Sequence, residues 1–436
     1  MTATVMTALL TMLLAWLVPA PQTDTLTKRF TFAVPRETLV VIHASCARCD
    51  WGEEGREAVA LRLTVDGAYS QHIMLSRGES PADYSVRLGL LASGSHVLRV
   101  ERDPELSAKG AGPASIDVIA VQALTEGTTD NLVAQSMAPI LYARPNTVGK
   151  FTDLPLLMWY EVERTPRGRK FRYSVIFSNE DGGTQTDRLM ATWGRTTDIE
   201  FIYGVEVGES GQILSEEFQG PGHEVPAFRG QHEGRHPLLW VSTDNNMVSE
   251  SGPTRMRYAP TAVKFDLTNV SREAVMDANP WMYAIASVEM KREGKIEDDP
   301  APGHNAIPDP RRFAYVEACG QVGNAALALA IGVRDQWIPS DRGMRQYRIV
   351  RDGCFRIATP LPAGTRPSDI RAIRVQAFER PPATGAMATA PDPVRLTRIN
   401  KVFMLDEHFL PGSSILTWEG SAAIRAGGDP FEVRIP

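Results

Sequence analysis

Leu61-Arg62-Leu63-Thr64-Val65-Asp66-Gly67 sets apolar against polar side chains at every second position and then stops at Asp-Gly. A period of two is the strand period, and Asp-Gly tolerates the positive φ that a tight hairpin turn needs. The pattern recurs on either side. Tyr84, Val86, Leu88 and Leu90 alternate with polar neighbours, Gly94 and Ser95 turn into the run His96 to Val100, and Ile116 to Val121 follows the Gly-rich stretch Lys109 to Pro113. Strands spaced by turns at these intervals predict a β-sandwich over residues 24–124.

The late strands Gly94-Ser95-His96-Val97-Leu98-Arg99-Val100 and Ile116-Asp117-Val118-Ile119-Ala120-Val121 carry a resemblance to the carbohydrate-binding jelly-roll modules appended to secreted carbohydrate-active enzymes. It covers under a quarter of the chain and implies a sugar-binding role. No motif fixes the sugar-contacting positions, so the resemblance assigns no residue.

The rest of the chain repeats the β signal. Leu156–Glu163 and Phe171–Ser178 flank the turn Thr165-Pro166-Arg167-Gly168, and Ile199, Phe201, Tyr203, Val205 and Val207 form one apolar stripe. Further strands are expected at Pro237–Ser242, Ala262–Leu267 and Trp281–Met290. Thr125–Ala138 is polar and without period, so it reads as a linker. Glu293–Pro310, with four prolines and the acidic Glu297, Asp298 and Asp299, reads as a second one. Beyond it, strands are expected at Ala325–Val333, Tyr347–Val350, Ile370–Phe378 and Val402–Leu405, with a Pro/Ala-rich loop over Arg380–Pro393. The expected fold class is all-β: three antiparallel β-sandwich, jelly-roll-like modules in series, over residues 24–124, 136–292 and 311–436, with 293–310 as linker.

Composition agrees. The chain has 436 residues, 35 of them Gly and 31 Pro, with 43% hydrophobic residues, which suits several turn-rich domains and excludes wholesale disorder. A net charge of -6 offers no field for nucleic acid. Val5 to Val18 is almost wholly apolar and ends at Val18-Pro19-Ala20, small-residue spacing that fits a signal peptide over residues 1–20, although no Lys or Arg precedes it and Pro21 follows. No later stretch is long enough to span a membrane. The expected location is secreted, periplasmic or at the cell surface, where four cysteines read as the disulfides Cys46–Cys49 and Cys319–Cys354. The rival readings of Cys46-Ala47-Arg48-Cys49, a redox pair or half a zinc site, lack the helix start and the second close pair that each requires.

Chemistry concentrates in the middle module. Ser178-Asn179-Glu180-Asp181-Gly182-Gly183-Thr184 could present a catalytic acid or oxygen ligands to Ca²⁺, with a solvated Asp-Gly turn as the plain alternative. In Arg195-Thr196-Thr197-Asp198-Ile199-Glu200, an Ile199 stripe facing the core would place Asp198 and Glu200 together on the opposite face. Their Cα atoms would be about 6.6 Å apart, near the separation of about 6.5 to 9.5 Å between the carboxyls of inverting glycosidases. His232-Glu233-Gly234-Arg235-His236 matches the zinc-protease string, but Gly230, Gly234 and Pro237 break the helix on which that chemistry depends. A non-helical metal site remains open, with Asp181, His232, His236 and Asp244 as candidate ligands, His223, Asn245 and Asn246 nearby, and Ca or Zn as the candidate ion. Trp193 and Trp51 are candidate sugar platforms, with Asn179 as a further substrate contact, while Trp159, Trp240 and Trp281 sit in apolar runs and read as core.

These residues suggest an exported β protein that binds a glycan or polysaccharide and processes it as a glycoside hydrolase or polysaccharide lyase. For a hydrolase the carboxylates are Asp198, Glu200 and Glu180, with Arg195 orienting substrate. For a lyase, His236 or Tyr203 would take the proton. The alternatives are a non-catalytic surface adhesion or scaffold protein, and a metal-binding protein with a His/Asp site in the central domain.

Overall fold

Ala60–Val65 (β3) and Ala68–Met74 (β4) form the expected hairpin in the computed structural model, with Asp66 at φ 52° and Gly67 at φ 83° in its turn. The structure describes residues 23–124, 129–180, 182–380 and 392–435, so the signal segment and most of the Pro/Ala-rich loop lie outside the described residues. The other strands of the first unit are Thr25–Phe32 (β1), Arg36–Cys46 (β2), Ala82–Leu91 (β5), Gly94–Asp103 (β6) and Ala114–Ala123 (β7). They build two antiparallel sheets, β1-β6-β3-β4 and β5-β2-β7. Between the sheets lie Val40, Ile42, Leu61, Leu63, Leu98, Val100 and Ile116, every second residue of their strands, as the alternation requires. Cys46 and Cys49 are disulfide-bonded at the end of β2.

The central unit comprises Asp130–Met137 (α1), Ile140–Tyr142 (β8), Pro155–Thr165 (β9), Gly168–Phe177 (β10), Thr186–Trp193 (α2), Asp198–Gly208 (β11), Ile213–Phe218 (β12), His232–Glu233 (β13), His236–Val241 (β14), Val248–Ser249 (β15), Arg257–Tyr258 (β16), Ala262–Lys264 (β17), Ala274–Ala278 (α3) and Trp281–Arg292 (α4). One sheet runs β12-β11-β10-β9-β17, and the other β13-β14-β8-β16 with β15 on β14. Two pairings, β17 with β9 and β14 with β8, are parallel, an exception to the expected antiparallel plan. Phe171, Tyr173, Val175 and Phe177 of β10 fill the space between the sheets with Leu239 and Val241 of β14.

Two element assignments of the central unit change. The stretch read as a linker carries α1, whose N-terminus is capped by Thr129 and whose Val133, Ala134 and Met137 enter the core. Trp281–Met290, expected as a strand, is the helix α4, with Met282, Ile285, Ala286, Glu289 and Met290 buried at intervals of three and four. Its aromatic and β-branched residues imitate a strand, whereas the burial spacing is helical.

Phe313–Gln321 (β18), Ala325–Val333 (β19), Gln336–Pro339 (β20), Gly353–Pro360 (β21), Ile370–Glu379 (β22), Val394–Phe403 (β23), Trp418–Ile424 (β24) and Phe431–Arg434 (β25) complete the chain as two antiparallel sheets, β21-β18-β23-β24 and β20-β19-β22-β25. Cys319 and Cys354 face each other across β18 and β21 and are bonded. Tyr347–Val350 is no strand: a 3-10 turn ends at Tyr347 and one bridge joins Ile349 to Leu327. Strands hold 47% of the chain and helices 11%, the all-β class expected.

Residues 293–310 do not hang free. Ile307 is fully buried and bridges to Ile296, the Gly303 N–H donates to Asp187 and to Tyr347 Oη, and Arg342 donates to the Pro300 carbonyl. Beneath this strap a second core joins the central and last units, with Trp159, Ile176, Ile199 and Met190 packed on Phe313, Tyr315 and Phe403. At the other junction Arg87 is fully buried and donates to the carbonyls of Ala138 (2.6 Å), Pro139 (2.6 Å) and Pro260 (3.0 Å).

Candidate functional site

The site begins with one extra residue. Phe171, Tyr173, Val175 and Phe177 of β10 face Val205, Tyr203, Glu200 and Asp198 of β11, while Ser174 and Ile176 face Phe201 and Ile199. Ile202 has no opposite number, so a β-bulge there exchanges the two faces of the strand. Ile199 and Phe201 therefore turn toward the α2 side, and Asp198 and Glu200 lie on the inner face with Tyr203 and Val205. This corrects the expectation of a single apolar stripe and a solvated acidic face, because a one-residue slip inverts every side chain beyond it.

Facing inward, the acids are constrained. The Asp198 side chain is 2% exposed; its Oδ2 accepts from Asn246 Nδ2 at 3.2 Å, and its Oδ1 lies 3.8 Å from Arg195. Glu200 is half-buried and accepts from Gln219 Nε2 at 2.9 Å. Glu180, on the loop after β10, is buried and accepts from the Thr184 N–H at 3.0 Å. Gly182 and Gly183 let this loop lie against the next one: a Cβ on Gly182 would fall 2.8 Å from the Asp244 Cβ. Burial, followed by repulsion from Asp198, pushes Glu180 up to about 7 and Glu200 up to about 8, with Arg195 opposing both. Burial also raises Asp198, against Arg195 and Asn246. Two carboxyls brought near neutrality by burial and by the charge of Asp198 are the raw material of acid–base chemistry.

Arginines stand against them. Arg195 is buried, donates Nε to Glu273 at 3.1 Å and bonds the Thr197 carbonyl. Glu273, buried in the turn before α3, is held below the ordinary carboxylate range because Arg195, Arg356, Arg272 and Arg351 outweigh its burial. Trp193 is half-buried at the end of α2, with Arg351 3.7 Å, Arg272 5.5 Å and Arg195 5.7 Å from its ring centroid. With Arg351 on one face, its ring is a rail for guanidinium groups rather than a bare sugar platform. Gly194 makes the turn possible: it caps α2 at φ 60°, and a Cβ there would come 2.5 Å from Arg356 Cγ. Arg356 is fully buried on Asp277, Glu317 and Tyr283.

Glu180, Asp198, Glu200, Arg195 and Trp193 are thus gathered. Asn179 lies close by, but buried, donating to Glu293 at 2.9 Å while its carbonyl accepts from Asn246. Asp244 stands at the edge of the site on Arg144, which also holds the buried Asp153. Asp181 lies outside the described residues. Trp51 is no platform: it is 3% exposed and donates to Glu289, an acid that burial pushes up to about 7.

The histidines disperse. His232 bonds Glu216 at 2.7 Å, and His236 is buried between Arg87 (2.9 Å) and Glu37 (3.3 Å). His223 sits on Gln219 at 3.2 Å. No three His, Cys, Asp or Glu side chains among the described residues are arranged to hold a metal ion, so a site shared by His232, His236 and Asp244 is not assembled. Burial and the bond to Glu216 raise the proton affinity of Tyr203, and His236 lies at the far junction, so neither is poised as a proton acceptor for the site. Asn246, Arg272, Glu273 and Arg351 escaped the sequence reading; only the run Asp244-Asn245-Asn246 hinted at the first. Among the described residues no helix is long and apolar enough to cross a membrane.

No protein family matches the chain, and no curated protein matches its sequence. Among solved structures, NLPPya in complex with mannosamine aligns with a TM-score of 0.24 and 10% identity, over 32% of this chain and 75% of that one. A ruminal GH26 endo-β-1,4-mannanase aligns at 0.18 and 12%, over 28% and 26%. The Podospora anserina GH26-CBM35 β-(1,4)-mannanase aligns at 0.18 and 15%, over 29% and 30%. This chain spans less than a third of either mannanase. One of these is in complex with mannosamine and two are mannanases, and at such scores the likeness carries no argument for the site.

Proposed function

We propose that the chain is an exported glycan-binding protein that cleaves its glycan by general acid–base catalysis. The observation that carries this reading is the convergence of Glu180, Asp198 and Glu200 beside Arg195, with two of the acids poised near neutrality. Glu200, half-buried and reaching the surface, is the proton donor to the leaving oxygen; Glu180 is the base that draws a proton from water. Asp198, wholly enclosed and tied to Asn246, is a positioning residue whose charge keeps Glu200 protonated. Arg195, fixed by Glu273, offsets the charge of the group. Two disulfides suit an oxidising compartment outside the cytoplasm. The remoteness of His236 and the engagement of Tyr203 by Glu216 favour hydrolysis over a lyase reaction.

Activity needs Glu180 ionised and Glu200 protonated, so the rate should follow a bell with its maximum between about pH 7 and 8. Screening the mature protein on a polysaccharide panel for new reducing ends gives the activity to follow. Glu200→Gln, alone or with Asp198→Asn, should lower it at least a hundredfold, within the range that general acid catalysis contributes. Undiminished cleavage by the double variant would remove the assignment.

A further inference from the structure

The charge of the substrate can be read from the arginines that surround Trp193, an argument that rests on the catalytic reading above. Arg272 is half-buried and stacks near the Trp193 ring; Glu273, Glu200 and Asp198 lie near enough to favour its charge, but its guanidinium makes no hydrogen bond or close ion pair with any described residue. Arg351, stacked on the same ring, spends a single donor on the Thr192 carbonyl at 2.6 Å. The buried anion among them, Glu273, is already taken by Arg195 at 3.1 Å. Burial lowers the proton affinity of Arg272 and Arg351, the neighbouring arginines add to that, and Glu273 opposes it at both. Guanidinium groups removed from water are ordinarily matched by acids that use their donors. Here two forks of donors stand side by side, half-buried and largely unused, and Arg272 lies close enough to Glu200 to oppose its rise.

We propose that Arg272 and Arg351 receive an oxyanion carried by the glycan, a uronate carboxylate or a sulfate ester, seated beside Trp193 so that the adjoining glycosidic bond meets Glu200. A planar fork pairs with either group through two parallel hydrogen bonds. The chain's net charge of -6 supplies no general attraction for polyanions, so selectivity for an acidic polymer would have to arise locally.

The test is binding and cleavage by the full chain of polygalacturonate, dextran sulfate and neutral galactan at about 0.15 M salt, where exposed charges are screened beyond about 8 Å. One acidic polymer should bind at least tenfold tighter than galactan. Arg272→Gln should abolish that preference, Arg272→Lys should retain part of it, and Arg371→Gln, at an exposed arginine of the last unit, should leave it intact. Thermal unfolding of each variant separates lost binding from lost fold. Preference for polygalacturonate identifies the carboxylate, and preference for dextran sulfate the ester. If galactan is bound and cleaved as well as either polyanion and Arg272→Gln changes nothing, the oxyanion subsite is wrong while the catalytic reading stands. If no polymer of any charge is bound or cleaved, both fall.

Discussion

Glu200 makes the folded protein bind a proton that the unfolded chain would release. Its carboxyl titrates near 8 in the native state against an ordinary 4.5, and Glu180 near 7. Between those values these two groups hold more protons in the native state than in the unfolded one, so their contribution to stability is fully present below about pH 4.5 and is lost as pH rises to 8. Each tenfold change in proton affinity between the two states is worth about 1.4 kcal/mol. Glu200→Gln should flatten the upper part of that decline and raise the melting temperature above pH 8 while removing activity. A variant that melts in parallel with the wild type from pH 5 to 9 would show that Glu200 is not the group held protonated. Asp198 and Glu200 were legible in the sequence because alternation puts i and i+2 on one face whichever way the strand turns. Which face that was depended on Ile202, and nothing in Phe201-Ile202-Tyr203 distinguishes a bulge from regular strand. Arg272 and Arg351 come from segments about 70 and 150 residues further on, at positions without local pattern, and only the fold brings them to Trp193.

At the scale of elements, α2 delivers Trp193 and Arg195 to the site through a left-handed turn at Gly194, whose N–H closes the helix on the Met190 carbonyl at 3.0 Å. An L-residue in that conformation costs roughly 1–2 kcal/mol, and its Cβ would also press on Arg356 and on the Ile357 carbonyl carbon at 3.0 Å. Gly194→Ala should therefore destabilise the protein by about 2 kcal/mol or more and impair activity with it. Urea unfolding gives the first quantity, and a cost below about 0.5 kcal/mol, the scale of an ordinary surface change, would mean the turn relaxes easily. Strands were legible wherever alternation was clean, as in β3, β10, β19 and β22. The miss at α4 has a physical cause: Trp281, Tyr283, Ile285 and Val288 favour strands intrinsically, and tertiary packing, of Tyr283 on the second core and of Ile285 and Val288 around Trp51, overrides that preference.

Across the whole molecule, three sandwich-like cores are stitched by charged side chains that no window of sequence displays. Burial lowers Arg87 only to about 10, so it stays charged at neutral pH while holding three carbonyls of the central unit. Arg87→Ala would leave those carbonyls and His236 short of a donor, costing roughly 3 kcal/mol or more. Faster release of a fragment the size of the first unit under limited proteolysis should accompany the loss; unchanged cleavage and stability would show that the junction is held by apolar contacts alone. The strap at 293–310 could be recognised as a break in the strand pattern from its prolines and acids. Its packing onto Asp187, Tyr347 and Arg342 depends on partners more than a hundred residues upstream and about forty residues downstream.

Arg351 and Arg356 reach the centre from the final third of the chain, so the charge network around Trp193 and Glu273 is completed by a portion of polypeptide that local reading would treat as an accessory. Such a protein cannot diversify by exchanging cassettes. A recombination that swapped the C-terminal sandwich for another of the same shape would take Arg351 from the Trp193 ring and leave Glu273 with fewer counter-ions.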